Sequence, residues 1–170
     1  VIKLGGHAIS NSDTLKSFAR DIILMKQCNL NPIIVHGGGP MINTMLKKVG
    51  IASKFVDGKR VSTRDSIPII EMVLSGKVNR EIVSAINSQG GKAVGLSGKD
   101  ANLLICEQDK PELEFVGKPT KVNSEILECF LDSDFIPIVS PIGVGKNGET
   151  YNINADTVSG AIAAHMKAER

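Results

Sequence analysis

NPIIVHGGGPMINTML, residues 31–46, decides the fold. PIIVH is a continuous apolar run of the kind found in strands covered on both faces, as in parallel sheets. Ile42, Met45, Leu46 and Val49 recur along one face of a helix over residues 40–49, and Gly50 stops it. Three glycines separate strand from helix, although glycine is the residue most costly to order. A strand that runs into a glycine turn and then a helix is the repeating half of a parallel α/β unit.

The pattern extends in both directions. VIKLGG, residues 1–6, is a short strand meeting a second glycine turn, and SDTLKSFARDIILMKQ, residues 12–27, places Leu15, Phe18, Ala19, Ile22, Ile23 and Met25 mostly at helical spacing. The first fifty residues therefore read strand, helix, strand, helix, which predicts an open α/β fold around a mainly parallel sheet. SKFVDGKRVST carries the Asp-Gly signal of a tight hairpin, and KNGETYNI suggests a second one. The stretch from Arg64 to Gly91 is mostly helical, with Ser75-Gly76 bending or dividing it. KAVGLSG and FIPIVSPIGVG read as further strands, NLLICEQDKPELEFVGKPTKVN as exposed β structure, NSEILECFLDSD as a short helix capped by Asn123 or Ser124, and residues 154–170 as a helix with small residues on its packing face.

Composition narrows the function. The 170 residues suit one domain with a sizeable core. A net charge of +2 gives no field for nucleic acid or an anionic membrane. Aromatic residues at 4% leave little for stacking on bases. No apolar run approaches the length of a membrane span. Cys28, Cys106 and Cys129 are widely spaced, form no CxxC pair, and read as small core hydrophobes in a reducing cytoplasm. The chain begins at Val1, inside a predicted strand, which is the look of a fragment or of the ordered part of a longer protein.

In open parallel sheets ligands bind beyond the carboxyl ends of the strands. Three glycine clusters fall there, namely Gly5-Gly6, Gly37-Gly38-Gly39, and Gly95 with Gly98, and they predict one shared ligand surface. Without Cβ atoms, peptide N–H groups can reach a ligand oxygen, and the start of the 40–49 helix favours an anion through its dipole. The triple glycine thus reads as a backbone cradle for an anionic group. Neither GxxxxGK[ST] nor GxGxxG nor GxSxG occurs, so a P-loop ATPase, a Rossmann dehydrogenase and a serine hydrolase lose ground. His7, His36 and His165 are scattered singly, with no metal-ligand spacing, and His36 reads as a structural histidine at a strand end. Lys3 admits two readings, a lysine snorkelling from its strand or a point charge aimed at a phosphate. Arg60 is either a solvated hairpin residue or a bidentate clamp on a carboxylate. NINAD, residues 152–156, sets Asn152, Asn154 and Asp156 at the start of a helix, as a cap or as a polar site.

The ordered motifs VIKLGGHAI, IIVHGGGPMI, SKFVDGKRVST, EMVLSGKVNREIV, GGKAVGLSGKDANLL, FVGKPTKVN, FIPIVSPIGVG and YNINADT together resemble the amino acid kinase family over nearly the whole chain, and within it the branch that phosphorylates N-acetyl-L-glutamate for arginine biosynthesis. The resemblance implies a three-layer α/β/α fold. It implies transfer of the γ-phosphoryl group of ATP, with Mg2+, to the side-chain carboxylate of N-acetyl-L-glutamate, making an acyl phosphate. Carried over by motif, Lys3 stabilises the transferring phosphoryl group, and Asp156 orients the central lysines rather than acting as a base. Gly38 and Gly39 offer N–H groups to N-acetyl-L-glutamate, Arg60 holds its α-carboxylate, and Asn152 binds its acetamido-glutamate body. Gly5 and Gly6 approach the ATP phosphates. No general base is required, because a carboxylate nucleophile is already ionised at neutral pH. The family's C-terminal half carries most of the nucleotide site, so residues 1–170 are expected to be the acid-binding lobe, with poor phosphoryl transfer on their own. A homo-oligomer is implied, with the helices from Arg64 to Val83 as its interface, and neither nucleic acid nor membrane is a partner. The alternatives are a relative acting on carbamate or aspartate, and a non-catalytic acyl-amino-acid-binding module.

Overall fold

The computed structural model describes residues 1–169. In chain order its strands are β1 (Ile2–Leu4), β2 (Ile34–His36), β3 (Phe55–Val56), β4 (Lys59–Arg60), β5 (Ala93–Ser97), β6 (Leu104–Gln108), β7 (Gly117–Val122), β8 (Ile136–Ser140), β9 (Ile142–Val144) and β10 (Thr150–Asn152). Its α-helices are α1 (Gly6–Ile9), α2 (Ser12–Gln27), α3 (Gly39–Lys48), α4 (Ile67–Glu71), α5 (Asn79–Asn87), α6 (Glu125–Asp132) and α7 (Ala155–His165).

Strands β1, β2, β8 and β5, in that spatial order, form a parallel sheet. Side chains alternate across a strand, so neighbouring residues serve opposite cores. Ile34 and Ile138 enter one cluster with Leu15, Ala19 and Ile22 of α2, Ile42 and Leu46 of α3, and Ile82 and Ile86 of α5. Their neighbours Val35 and Val139 enter the other, with Leu127 of α6 and Val158 and Ile162 of α7. The sheet is thereby covered on both faces, which is the predicted three-layer arrangement and the reason PIIVH carries no polar alternation. The predicted hairpins form β3–β4 and β9–β10, and in the first, Asp57 (φ 50°) and Gly58 (φ 75°) supply the two left-handed turn residues. β10, β9, β6 and β7 form a second, mixed sheet, whose Leu104 and Cys106 are buried rather than exposed as the sequence suggested.

Three local expectations are revised. The glycine turn after β1 tightens into the short helix α1. The helical stretch is not divided at Ser75-Gly76; it widens into a π-helical segment, Met72–Val78, that joins α4 to α5. Of the cysteines only Cys106 is a core residue, with burial pushing its thiol up to about 12, whereas Cys28 and Cys129 are exposed. Asn154 caps α7 by accepting from the N–H groups of Asp156 and Thr157, and the last residue of the predicted terminal helix, Arg170, lies outside the described residues.

Gly95 and Gly98 do not join a ligand surface. A Cβ on Gly95 would lie 1.9 Å from Oδ1 of Asn79 and 2.3 Å from a guanidinium nitrogen of Arg80. One on Gly98 would lie 2.2 Å from the carbonyl oxygen of Ile142 and 2.7 Å from Cβ of Leu104. Both are glycine for packing between elements. Because the Ile142 carbonyl and the Leu104 Cβ are backbone and stem and cannot swing aside as the Leu104 Cδ1 methyl can, Gly98→Ala is expected to destabilise the fold by about 3 kcal/mol or more. A denaturant melt reads this, and a midpoint unchanged from wild type would refute it.

Candidate functional site

Every strand of the parallel sheet ends at the same edge, and a cavity of about 340 Å3 opens there. The eight residues to which the resemblance assigns roles line it, namely Lys3, Gly5, Gly6, Gly38, Gly39, Arg60, Asn152 and Asp156, whereas Gly95 and Gly98 do not. They arrive from the ends of β1 and β2, the hairpin strand β4, the end of β10 and the first turn of α7.

The two glycine loops touch. A Cβ on Gly6 would meet Cδ of Pro40 at 3.0 Å and Cα of Gly38 at 3.3 Å, and one on Gly38 would meet Cδ2 of Leu74 at 2.6 Å. Gly6 and Gly38 therefore sit where loop meets loop and loop meets π-helical segment, and a side chain at either would make its neighbours shift. Gly5 and Gly39 have no protein atom within 4 Å of such a Cβ, so their bareness leaves room on the cavity side. The first hydrogen bond of α3 runs from Ile42 N–H to Gly38 C=O, which leaves the N–H groups of Gly38, Gly39 and Met41 ahead of the helical ladder. The arrangement suits an anion.

Lys3 is 37% exposed along its side chain, and its Nζ lies 3.2 Å from Oδ1 of Asp156. The exposed pair contributes little to stability, but it holds the ammonium across the cavity floor. Arg60 is buried at 8% exposure. It donates to Oγ of Ser53 at 2.8 Å, to Oδ1 of Asn43 at 2.6 Å and to the Gly39 carbonyl at 3.4 Å, with the Phe55 ring centroid 4.7 Å from its Cζ. All of these partners are neutral, and burial pulls the guanidinium pKa down. A desolvated cation without a carboxylate partner is costly, and its remaining donors suit an anionic ligand. Asn152 donates from Nδ2 to Oγ of Ser62 at 3.0 Å, so its side-chain carbonyl is the group left to accept.

Residues that the sequence reading passed over complete the site. Lys59 and Asp109 pair at 2.6 Å on its wall, and Lys118 adds a cation with no ion pair among the described residues. Four cationic side chains thus face two carboxylates, Asp109 and Asp156, a surplus of two positive charges. Ser53, Asn43 and Ser62 act only through Arg60 and Asn152 and carry no sequence signal of their own; Lys118 lay within FVGKPTKVN, a motif to which no role was attached. Among the described residues no group of three His, Cys, Asp or Glu could hold a metal ion, and no helix is long and apolar enough to cross a membrane.

His36 does not line the cavity. It lies fully buried behind the glycine loop, as its structural reading predicted. Burial, assisted by the charge of Arg80 and opposed by a bond to the Gly37 carbonyl, lowers its pKa from 6.5 to about 4. The folded state thus holds His36 neutral where the unfolded chain takes up a proton. Its contribution is full above pH 6.5 and is lost as pH falls from 6.5 towards 4, by up to about 3 kcal/mol. Melting temperatures across that window should fall more steeply for wild type than for His36→Asn; parallel profiles would contradict this.

The model of the amino acid kinase family matches residues 1–170. The chain is 58% identical over 170 residues to the acetylglutamate kinase of Ruegeria pomeroyi and 51% identical over 171 residues to that of Paracoccus denitrificans; all of the chain is covered, against 59% and 56% of those relatives. It therefore spans less than two thirds of their length. Among solved structures, smu.665 of Streptococcus mutans UA159 superposes with a TM-score of 0.90 at 28% identity, covering 99% of the chain and 68% of that protein. The N-acetylglutamate synthase of Neisseria gonorrhoeae shares the fold, with a TM-score of 0.83 at 22% identity over 99% of the chain and 39% of its own.

Proposed function

The chain belongs to the amino acid kinase family, and from that premise we propose that it is the acid-binding lobe of an acetylglutamate kinase. In this reading the cavity takes N-acetyl-L-glutamate, and its side-chain carboxylate attacks the γ-phosphorus of ATP. The rest of the nucleotide site comes from sequence of the kind that the relatives carry beyond the matched span.

The observation that carries the reading is Arg60, a buried cation bonded only to neutral groups at the mouth of a cavity with two surplus positive charges. N-acetyl-L-glutamate is a dianion at neutral pH. Its α-carboxylate matches Arg60, and its reacting carboxylate matches the glycine N–H groups beside Lys3. The Asn152 carbonyl, fixed by Ser62, accepts from the acetamido N–H, a single donor that a free ammonium would replace with an unwanted third positive charge. An acid with one charge, such as carbamate, leaves either Arg60 or the cradle unmatched.

Phosphoryl transfer needs positioning and neutralisation of charge more than covalent help from the protein. Lys3 supplies a point charge, Asp156 holds it in place, and the Gly5-Gly6 turn allows phosphate oxygens to approach the backbone. In this reading Mg2+ comes with the nucleotide phosphates. A cytoplasmic location and a homo-oligomer belong to the same proposal. On the helical stretch named above Met72 is 60% exposed, whereas Ile67, Ile70, Val73, Leu74, Val78 and Ile82 are buried in the chain's own core; light scattering would test an interface there.

A competition experiment tests the substrate. N-acetyl-L-glutamate should bind ahead of L-glutamate, L-aspartate and carbamate, with L-glutamate weaker by roughly tenfold or more for its uncompensated ammonium. Equal ranking of the acids would overturn the assignment.

A further inference from the structure

Behind the cradle lie two polar side chains that no step above uses. His36, the last residue of β2, and Asn79, the first of α5, are both fully buried. Nδ2 of Asn79 is 3.2 Å from Nε2 of His36, 2.8 Å from the Ile138 carbonyl oxygen and 3.3 Å from that of Leu96. The opposite orientation of the carboxamide would set its oxygen against two carbonyl oxygens, so the group at this point is the donor. An amide nitrogen cannot accept, so a proton on Nε2 of His36 would find no acceptor in Asn79; Nε2 is the bare nitrogen, and the ring proton sits on Nδ1, 2.9 Å from the carbonyl oxygen of Gly37.

That proton has a consequence at the cavity. The Gly37 carbonyl and the Gly38 N–H belong to one trans peptide and point in opposite directions. A carbonyl held inward by His36 turns the next N–H outward, towards the cavity that Gly38 lines. The cost of the arrangement is visible on Asn79, whose Oδ1 has no hydrogen-bond partner and fills the space that a side chain at Gly95 would need. An orphaned buried acceptor calls for an explanation. The π-helical segment that leads into Asn79 also seats Leu74 and Val78 under Gly38, so one element sets both the position and the orientation of the loop.

We propose that Asn79 and His36 are positioning residues for the glycine cradle: Asn79 fixes the Nδ1–H tautomer of His36, and that N–H locks the Gly37 peptide so that the Gly38 N–H faces the bound carboxylate. The role of the cradle rests on the function proposed above; the orientation of the peptide does not.

The test uses the intact chain in two measurements. The first is the nitrogen NMR spectrum of His36, which should show a protonated Nδ1 and an unprotonated Nε2; the reverse pattern overturns the proposal without any variant. The second compares His36→Leu with His36→Asn. Asparagine can place an N–H where Nδ1–H stood but cannot reach Asn79, and leucine supplies neither bond. Affinity for N-acetyl-L-glutamate should fall roughly tenfold or more in His36→Leu and recover to within a few-fold of wild type in His36→Asn. Equal losses in both, or no loss in either, refute the positioning role. If wild type fails to bind N-acetyl-L-glutamate, the functional reading fails, and the Gly38 amide resonance then decides here: displaced in His36→Leu but not in His36→Asn supports the proposal, and unmoved in both refutes it.

Discussion

Arg60→Ala should lower the affinity for N-acetyl-L-glutamate by about a hundredfold or more, the scale of losing charge-assisted hydrogen bonds to a desolvated carboxylate. Arg60→Lys should recover only part of it. An ammonium cannot donate to Ser53, Asn43 and a ligand carboxylate in the planar fork that the guanidinium provides. The fold should survive, because Arg60 lies on a two-residue strand of a peripheral hairpin, and the parallel sheet does not depend on it. Calorimetry on the variants reads the affinity, and a melting curve separates lost binding from lost structure. An Arg60→Ala variant that binds like wild type would remove the observation on which the functional reading stands.

Lys3→Ala should act differently. If the proposed function holds, phosphoryl transfer measured with this chain joined to the rest of a nucleotide site should drop by roughly 100- to 1,000-fold, as when one preorganised donor to a developing charge is removed. The dissociation constant for N-acetyl-L-glutamate should change by no more than about threefold, since Lys3 is held by Asp156 rather than by the buried cluster around Arg60. Stability should hardly move, because the ion pair is exposed. Equal losses in turnover and affinity would make Lys3 a binding residue; unchanged turnover would exclude it from the chemistry.

The place of the cavity was legible before the structure, and for a physical reason; Lys3, Arg60, Asn152 and Asp156 were each open to two readings until the resemblance assigned them roles. The Gly37-Gly38-Gly39 run sits where periodicity changes from buried strand to amphipathic helix, and strand ends in a parallel sheet share one edge. The same logic failed at Gly95 and Gly98. A glycine that admits a ligand and a glycine that admits Asn79 or the Ile142 carbonyl look alike in sequence. Only the packing partner separates them. Arg60 and Asn152 were singled out, but the groups that aim them were not: Ser53, Asn43 and Ser62 are ordinary polar residues until the chain folds them against their partners. The π-helical widening was invisible because seven residues are too few to distinguish its period from that of an α-helix with a glycine in it. The reading of Cys28 and Cys129 as core residues went astray because Cys28 falls just past the end of α2 and Cys129 on an uncovered face of α6. His36 was correctly read as structural, although its partner, 43 residues away, could not be named.

The most direct measurement is an amide NMR titration of the intact chain with N-acetyl-L-glutamate. Saturable shifts should concentrate on Gly38, Gly39, Arg60 and Asn152, around the cavity at the carboxyl edge of the parallel sheet. Saturable shifts centred elsewhere, or none at millimolar ligand, would contradict the assignment.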